Sequence, residues 1–552
     1  MSWHPFSHST DRHHEASTIY ALSTAAGRAA IAVIRISGPA CLDVYHSLCP
    51  ERPAPKPRQA TIRSLYKPGA PPNPDAVLDS SALILHFPAP RTVTGEDVLE
   101  LHVHGGPAIV RAVLAAIPRC QLASRSGSIR YAEPGEFTRR AFMNDRLDLT
   151  QVEALGDTLS ATTEQQRRLS VRGTTSGLAK RYEDWRQQLL YARGELEALI
   201  DFSEDQHFDE SSSELLTSVA SQVQALRRTL ASHAQNAMRG ELLRNGISIA
   251  LLGAPNAGKS SLLNRIIGRE AAIVSHEAGT TRDVVEVGID LGGYLCRLGD
   301  TAGLRNAIGA AQGSPQAHGT IGHTEQEGMR RAKARAAESD VVIAVLSFEA
   351  SAGGAKLQLD PEVVDTAASL IREKDNVLVV INKADLAPKN ALLEASMQFV
   401  LTTLPGLGKD RIHFVSCKDA GSQVTEPTQS DPGQIQGFLQ GMIRHFEYLT
   451  AATSPDGVAG VAADPSVWQE SLGATERHRI LLDECTGHLG DFIGVASHHE
   501  AEHGTEDEAD IVLAAEHLRS AASCLAKITG KGDAGDVEEV LGVVFEKFCV
   551  GK

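Results

Sequence analysis

Apolar and polar residues alternate in several short runs over residues 17–145. Ile31–Ile36 alternates with period two and stops at Ser37-Gly38-Pro39, which is typical of a strand followed by a turn. Ala82–Phe87 and Val98–Val103 resemble it, and the helical run Ala108–Ile117 follows. This region predicts a domain of mixed sheet and helix.

Beyond this region the apolar spacing becomes helical. Val152, Leu155 and Leu159 recur at intervals of three and four, and proline is absent from 151 to 252. Helical spacing returns after residue 470, whereas the acidic, histidine-rich segment His498–Asp510 predicts a solvated loop.

Between the two helical regions, strand patterns alternate with helical ones from Ile247–Leu252 to about residue 440. Val341–Leu346 and Val377–Ile381 have strand length, well below the ~20 residues that span a bilayer. The alternation predicts a parallel α/β sheet, with Asn306–Gly322 and Ala350–Ala355 as surface insertions. We therefore expect an α/β unit inserted into one helical domain.

Composition limits the function classes. The chain has 552 residues and a formal charge of −16, which excludes a uniformly basic nucleic-acid-binding surface but allows a local basic groove. Its eight cysteines form no CxxC pair and show no zinc-ligand spacing, so we expect free thiols in a reducing compartment. Residues 1–15 lack the apolar core of a secretory signal and are poor in arginine for a mitochondrial presequence.

A phosphate-binding motif is the strongest chemical signal. Gly253-Ala-Pro-Asn-Ala-Gly258-Lys259-Ser260 matches GxxxxGK[ST] between a predicted strand and the helical run Leu262–Ile267. Backbone N–H groups of such a loop surround a β-phosphate, Lys259 reaches the β- and γ-oxygens, and the Ser260 hydroxyl binds Mg²⁺.

Three further motifs occur in the order of a GTPase. Asp300-Thr-Ala-Gly303 suits water-mediated Mg²⁺ binding and γ-phosphate sensing. Asn382-Lys383-Ala-Asp385 offers a carboxylate to the N1–H and N2–H₂ groups of guanine, and Ser416-Cys-Lys418 resembles the loop that covers the base. Together with the phosphate loop, these motifs predict a GTPase.

The segment Ser275–Asp283 resembles a first switch, with Thr281 as a second Mg²⁺ hydroxyl ligand. Leu304 stands where Ras-like proteins place a water-orienting glutamine, so another group must orient the water. We interpret Arg282 and Arg305 as surface charges rather than arginine fingers. The expected GTP-binding residues are Asn256, Ala257, Gly258, Lys259, Ser260, Ser261, Ser275, His276, Glu277, Ala278, Gly279, Thr280, Thr281, Asp300, Thr301, Ala302, Gly303, Asn382, Lys383, Asp385, Ser416, Cys417 and Lys418.

From Thr18 to Lys552 the chain resembles the MnmE (TrmE) family of tRNA-modification GTPases. The resemblance rests on Thr94–Leu101, His104-Gly-Gly-Pro107, Ala278–Asp283 and the terminal Phe548-Cys-Val-Gly-Lys552, together with the GTPase motifs. It implies a multidomain α/β plus all-α protein. Its parts would be a tail (1–16), a mixed α+β folate-binding and dimerisation domain (17–146), a discontinuous helical domain (147–245 and 441–552) and an inserted Ras-like P-loop G domain (246–440).

The resemblance also implies activation by K⁺ bound between paired G domains, where the ion takes the place of an arginine finger. The family pattern places the K⁺ ligands on Asn256, Ser275, Glu277 and Thr280. Its water-orienting acid falls on Glu325, with Glu327 as a rival and a solvated charge at the helix start as the alternative for both.

For a 5-formyl- or methylene-tetrahydrofolate donor, the family residues fall on Arg35, Glu100, Arg146 and Lys552. A carboxylate can pair with the pterin edge, and cations can hold the glutamyl tail. Arg146 replaces the lysine that is common in the family, which keeps the charge but alters the geometry. The alternative for Arg35 and Glu100 is an ion pair on the face of the sheet.

Cys549 is a candidate for chemistry on the donor or the uridine. The alternative is a small apolar residue that packs the terminal helix.

The resemblance implies a GTP hydrolase that acts with an MnmG (GidA)-type partner, which alone carries FAD. The pair would place a carboxymethylaminomethyl or taurinomethyl group on C5 of the wobble uridine of tRNA. The chain would form a homodimer through its N-terminal domain, and we favour the mitochondrial matrix over a bacterial cytoplasm. The alternatives are a ribosome-assembly GTPase and a folate-regulated GTP switch without carbon chemistry of its own.

Overall fold

The computed structural model of the chain describes residues 17–552 with gaps. The residues outside the description are 1–16, 121–127, 176, 203–211, 270–271, 277–286, 299–320, 352–353, 388–389, 422–430, 432, 455–464, 502–507, 532–543, 545–547, 549–550 and 552. The backbone is described but the side chains are not for residues 199, 201–202, 212–214, 268–269, 272–276, 321–329, 390–391, 421, 465–467, 498–501 and 508–510.

The described N-terminal residues form a six-stranded mixed sheet in the order β3-β4-β5-β2-β1-β6, in which only β1 and β6 pair in parallel. Its elements are β1 (Thr18–Leu22), β2 (Ile31–Ser37), α1 (Cys41–Leu48), β3 (Thr61–Tyr66), β4 (Val77–Phe87), β5 (Val98–His104), α2 (Pro107–Ala116), β6 (Ile129–Tyr131) and α3 (Glu136–Met143).

The alternation in β2 and β5 gives this sheet one apolar and one polar face. Ile34, Ile36, Leu99 and Leu101 are fully buried in a core that α1 and α2 cover. Arg35 and Glu100 lie opposite each other in the register of β2 and β5, on the other face. The predicted domain of mixed sheet and helix is confirmed.

Four helices follow, as the lack of proline predicts. They are α4 (Leu149–Ser160), α5 (Glu164–Gly173), α6 (Gly177–Phe202) and α7 (Ser212–Asn245).

The next region contains an eight-stranded sheet in the order β14-β13-β11-β7-β10-β9-β8, with β12 paired to β11. Its elements are β7 (Ile247–Gly253), α8 (Lys259–Arg269), β8 (Ala272–His276), β9 (Val287–Leu291), β10 (Tyr294–Leu298), α9 (Ile321–Glu338), β11 (Val341–Ser351), β12 (Gly354–Gln358), α10 (Pro361–Glu373), β13 (Val377–Asn382), α11 (Asn390–Thr403), β14 (Ile412–Phe414) and α12 (Ile435–Thr450).

The expectation of a parallel sheet is correct for β14, β13, β11, β7 and β10 and wrong for the rest. β9 pairs antiparallel to both β10 and β8. Gly292 and Gly293, with φ of 60° and 88°, form the two-residue connection between β9 and β10. Two residues of positive φ favour the hairpin turn that matches the strand twist, so this glycine pair sets the antiparallel direction.

The described part of the Ala350–Ala355 insertion is also strand. Ser351 pairs with Gly354 and Ala350 with Ala355, so β11 and β12 are antiparallel neighbours in the sheet. Most of the other insertion, Asn306–Gly322, lies outside the described residues.

The C-terminal helices are α13 (Pro465–Ser471), α14 (Glu476–Ala501) and α15 (Glu508–Thr529). The predicted loop at His498–Asp510 is therefore wrong at both ends, since α14 continues to Ala501 and α15 begins at Glu508. Polar composition did not prevent helix formation there, because Glu, Ala and His tolerate helical backbone.

The chain forms two compact units. One comprises Met1–Gly156, Gly173–Arg227 and Leu481–Lys552, and the other comprises Asp157–Arg172 and Arg228–Ile480. No helix among the described residues is long and apolar enough to cross a membrane. The seven cysteines that the structure describes are buried free thiols.

Candidate functional site

The phosphate loop joins β7 to α8 in the second unit. Asn256 and Gly258 have φ of 62° and 96°, so the loop turns sharply before the helix begins at Lys259. Lys259 Nζ donates to the carbonyls of Gly253 at 2.7 Å and Ala254 at 2.9 Å. These bonds hold the ammonium group across the loop, where the helix N-terminus also favours an anion.

Asn382 joins the base-recognition motif to the phosphate loop. Its Nδ2 donates to the Ala257 carbonyl at 3.0 Å, and its Oδ1 accepts from the Cys417 N–H at 3.3 Å. Gly258 is required for this close approach, because a Cβ there would lie 2.1 Å from Asn382 Nδ2. One buried amide thus holds three predicted segments together.

The base loop orients the Asp385 carboxylate. Ser416 Oγ donates to Asp385 Oδ1 at 2.9 Å, and Lys418 Nζ lies 4.0 Å from Oδ2. Ser416 Oγ also accepts from the Asp419 N–H at 3.1 Å. A carboxylate fixed in this way can accept two hydrogen bonds from guanine.

The phosphate loop, the start of α8 and the two base-recognition segments line a cavity of about 720 Å³, a volume in the usual range of ligand pockets. Burial raises the pKa of the Cys417 thiol to about 11, so this thiol stays protonated and acts as an uncharged wall. The predicted residues that line the cavity are Asn256, Gly258, Ser261, Asn382, Lys383, Asp385, Cys417 and Lys418.

Three lining residues were not predicted: Asn264, Arg265 and Leu386. Asn264 and Arg265 belong to the first turns of α8, and Arg265 Nε donates to the Cys417 carbonyl at 3.1 Å. Helical spacing from the phosphate loop could have suggested them, since they lie one turn beyond Ser260 and Ser261.

Several predicted site residues cannot be placed. Glu277, Ala278, Gly279, Thr280, Thr281, Asp300, Thr301, Ala302, Gly303, Cys549 and Lys552 lie outside the described residues. Ser275 and His276 belong to β8 and Glu325 and Glu327 to α9, with their side chains outside the description. Their roles stay predictions.

On the polar face of the N-terminal sheet, Arg35 and Glu100 form an ion pair at 2.9 Å. The side chains are 22% and 14% exposed, and His102 Nε2 lies 3.3 Å from the second Glu100 oxygen. The sheet-face ion pair considered above is therefore present, and a ligand could still reach these partly exposed groups.

His104 continues this row of polar side chains on β5. Its Nδ1 lies 2.9 Å from Oδ1 of Asp79, whose side chain is fully buried. Burial raises the pKa of Asp79, but hydrogen bonds from the Ser81 and His104 backbone and from the imidazole outweigh it, so the pKa is lowered. The pair fixes the end of β5.

Gly551 of the C-terminal motif lies against the end of β1, the strand that pairs with β2. Ser23 Oγ donates to the Gly551 carbonyl at 2.8 Å, and a Cβ on Gly551 would lie 2.1 Å from the Leu22 carbonyl oxygen. Leu22 pairs with Ile34, the neighbour of Arg35. Phe548 packs with Leu149 and Val152 of α4.

Arg146 is exposed, and its Nε donates to the Thr92 carbonyl at 3.0 Å. Arg140, by contrast, is buried. It pairs with Glu96 at 2.9 Å and with Glu136 at 3.2 Å, so it holds the domain together.

Comparison with known families accounts for nearly the whole chain. Residues 18–146 match the model of the GTP-binding protein TrmE N-terminus, and residues 149–549 match that of the MnmE helical domain. The chain belongs to the MnmE (TrmE) family of tRNA modification GTPases.

Relatives of this MnmE-family chain are both bacterial and mitochondrial. The tRNA modification GTPase MnmE of Parvibaculum lavamentivorans is 38% identical over 97% of this chain and 100% of its own length. A mitochondrial 5-taurinomethyluridine-[tRNA] synthase subunit of Rattus norvegicus is 37% identical over 97% of this chain and 93% of its own. The mitochondrial tRNA modification GTPase mss1 of Schizosaccharomyces pombe is 34% identical over 98% and 96%.

Proposed function

We propose that the chain hydrolyses GTP and, with an FAD-dependent partner, modifies C5 of the wobble uridine of tRNA with a one-carbon unit from tetrahydrofolate. Family membership supports the GTPase and tRNA parts, because relatives are named tRNA modification GTPases and 5-taurinomethyluridine-[tRNA] synthase subunits. The domain boundaries and ligand sets inferred from the sequence are part of this proposal.

The observation that carries the proposal is the position of the chain end. Gly551 is held against Leu22 and Ser23, on the strand next to the one that bears Arg35. Cys549 and Lys552 are within two residues of Gly551 in the sequence, and we assign both, with Arg35 and Glu100, to one folate site. A folate held by these groups would meet the terminal thiol.

At the GTP site, the described residues fit a Mg²⁺ nucleotide. Lys259 is directed at the phosphate loop, and Asp385 is oriented for guanine. Mg²⁺ would bind the hydroxyls of Ser260 and Thr281 and would neutralise charge on the phosphates. K⁺ at Asn256 and the first switch would supply the positive charge that an arginine finger supplies in other GTPases.

Wobble nucleosides provide the direct test. Mass spectrometry of tRNA from a deletion strain should show loss of the C5 substituent, and the full chain should restore it. Separate mitochondrial and cytosolic tRNA pools would test the proposed matrix location. Unchanged wobble uridine in every pool would overturn the proposal.

The second candidate function is the folate-regulated GTP switch. The Arg35–Glu100 pair favours it, because folate binding by these two residues requires no carbon chemistry on this chain. Cys549→Ser distinguishes the two. If the variant loses the tRNA modification but retains GTP hydrolysis, the Cys549 thiol takes part in the chemistry. If modification is complete, Cys549 serves only in packing.

A further inference from the structure

Helices α14 and α15 bring three potential metal ligands together in the first unit. His488 and Asp491 lie on α14 and His517 lies on α15, and one ligand atom from each falls within 4.8 Å of the other two. The family motifs and the GTP site do not involve these residues. We propose that His488, Asp491 and His517 bind a divalent transition metal of the zinc class.

The helix register supports this juxtaposition independently of the three side chains. Cys485 Sγ donates to the Ala521 carbonyl at 3.4 Å, which sets the alignment of the antiparallel helices. One turn further along α14, the same alignment places His488 beside His517. Because residues three apart share a helix face, Asp491 joins His488 at this level.

The three side chains lie at the rim of a packed seam. Cys485, Leu489 and Leu518 are fully buried, whereas both histidines are half-buried and Asp491 is exposed. Packing therefore fixes the backbone, while solvent and an ion can reach the ligand atoms. The site is supported on two helices rather than on a loop.

The chemistry of the donor set favours zinc-like ions over Mg²⁺ or Ca²⁺. Two imidazole nitrogens and one carboxylate suit Zn²⁺, Co²⁺ or Ni²⁺, whereas Mg²⁺ and Ca²⁺ prefer oxygen ligands. In tetrahedral zinc sites the ligand atoms are about 3.4 Å apart, given bonds of about 2.1 Å. The three ligand atoms lie within 4.8 Å of one another, so binding would draw them closer by about 1.4 Å or less.

Two arginines on or beside these helices hydrogen-bond to other groups. Arg519, on α15, donates to Glu516 at 3.4 Å. Arg227 Nε donates to the Thr486 carbonyl at 3.2 Å and lies against Gly490, on another side of α14. A bound ion would meet one carboxylate and two imidazoles and would cross-link the two helices. Such a cross-link stabilises the helix pair because the ion binds only the folded arrangement.

The test uses the full-length, nucleotide-free protein, stripped of metal and kept in excess Mg²⁺. Co²⁺ should produce visible d–d absorption at one equivalent, and Zn²⁺ should displace it and raise the melting temperature. His488→Asn and His517→Asn should each weaken Zn²⁺ binding about tenfold or more and reduce the Zn²⁺-dependent rise in melting temperature. Their melting temperatures without metal should stay close to that of the wild type.

Histidines elsewhere call for a matched control. The N-terminal tail carries His4, His8, His13 and His14, which could bind Zn²⁺ without any fold. A variant with these four replaced by alanine should keep the Co²⁺ spectrum and the stabilisation. Asp491→Asn alters an exposed side chain, so it provides a weakened site in a folded chain if a histidine variant misfolds. Wild-type metal binding in His488→Asn or Asp491→Asn would overturn the proposal, as would loss of binding in the tail variant.

Discussion

Ser416 Oγ donates a 2.9 Å hydrogen bond to Oδ1 of Asp385, and this bond orients the only carboxylate among the described residues that line the nucleotide cavity. Asp385 follows β13, and Ser416 follows β14, its parallel neighbour. Because parallel strands end at the same edge of a sheet, two motifs far apart in the sequence form one base-recognition surface.

Asp385→Asn should change nucleotide specificity. An amide can accept only one of the two guanine hydrogen bonds, and losing one made to a charged group costs about 1.5–3 kcal/mol, or about 10- to 150-fold in affinity. Xanthosine triphosphate offers an acceptor at C2, so the variant should bind it better than the wild type does. Fluorescent analogues of both nucleotides measure this.

The control is Asp410→Asn, an exposed carboxylate in the same region. It should bind both nucleotides as the wild type does. Unchanged GTP affinity in Asp385→Asn would contradict the assigned role.

The residues of the nucleotide site could be predicted from the sequence because each motif is a short, continuous segment of the chain. Gly253–Ser260 is a continuous strand-turn-helix signal, and Asn382 and Asp385 directly follow a buried strand. The hydrogen bond from Asn382 to Ala257 could not be predicted from the sequence, because it depends on the order of β13, β11 and β7 in the sheet.

The features that were not predicted from the sequence depend on contacts between distant segments or on a signal that a stronger pattern concealed. Gly292-Gly293 carries a hairpin signal that the repeated strand-helix alternation concealed. Arg140 looks like a surface charge in sequence, and only tertiary packing shows that Glu96 and Glu136 surround it. His517 lies on a different helix from Asp491, so no spacing pattern could relate them.

Asn256→Gly should remove the stimulation of GTP hydrolysis by K⁺. Asn256 has a φ of 62°, which glycine adopts without strain, so the substitution removes the side-chain ligand but keeps the loop. The ratio of hydrolysis rates in K⁺ and in Na⁺ should fall to about one. Asn264→Ala, in the same cavity, serves as the control and should keep the wild-type ratio. A variant Asn256→Gly with full K⁺ stimulation would exclude the side chain as a ligand.

Gly551→Ala should uncouple tRNA modification from GTP hydrolysis. Gly551 has a φ of 95°, and an added Cβ would lie 2.1 Å from the Leu22 carbonyl oxygen, so the chain end must move. We expect cells complemented with this variant to lose the C5 substituent on the wobble uridine. The intrinsic GTPase rate should stay within about twofold of the wild type, since the GTP site belongs to the other unit.

Gly194→Ala is the matched control for that variant. A Cβ on Gly194 would meet no atom within 4 Å, and alanine favours its helix, α6. Wild-type modification should persist there. Full modification in Gly551→Ala would show that the position of the chain end is unimportant for the chemistry.

His445 should make the second unit less stable in mild acid. Burial, reinforced by the nearby Arg411 charge, lowers the pKa of His445 to about 4 from its ordinary 6.5, and its Nε2 has no hydrogen-bond partner among the described residues. In the unfolded chain the imidazole binds a proton near pH 6.5, whereas in the folded chain it does so only near pH 4. Stability therefore falls as the pH drops through this window, by about 2 kcal/mol between pH 6.5 and 5.

His445→Phe isolates this contribution. Phenylalanine keeps an aromatic ring beside Tyr448, on which the imidazole stacks, and it cannot be protonated. The difference in melting temperature between pH 7 and 5 should shrink in the variant, as measured by calorimetry at several pH values. Arg444→Lys keeps the positive charge on the same helix, so it should retain the wild-type dependence of melting temperature on pH. An identical slope in His445→Phe would mean that other groups carry the acid sensitivity of this unit.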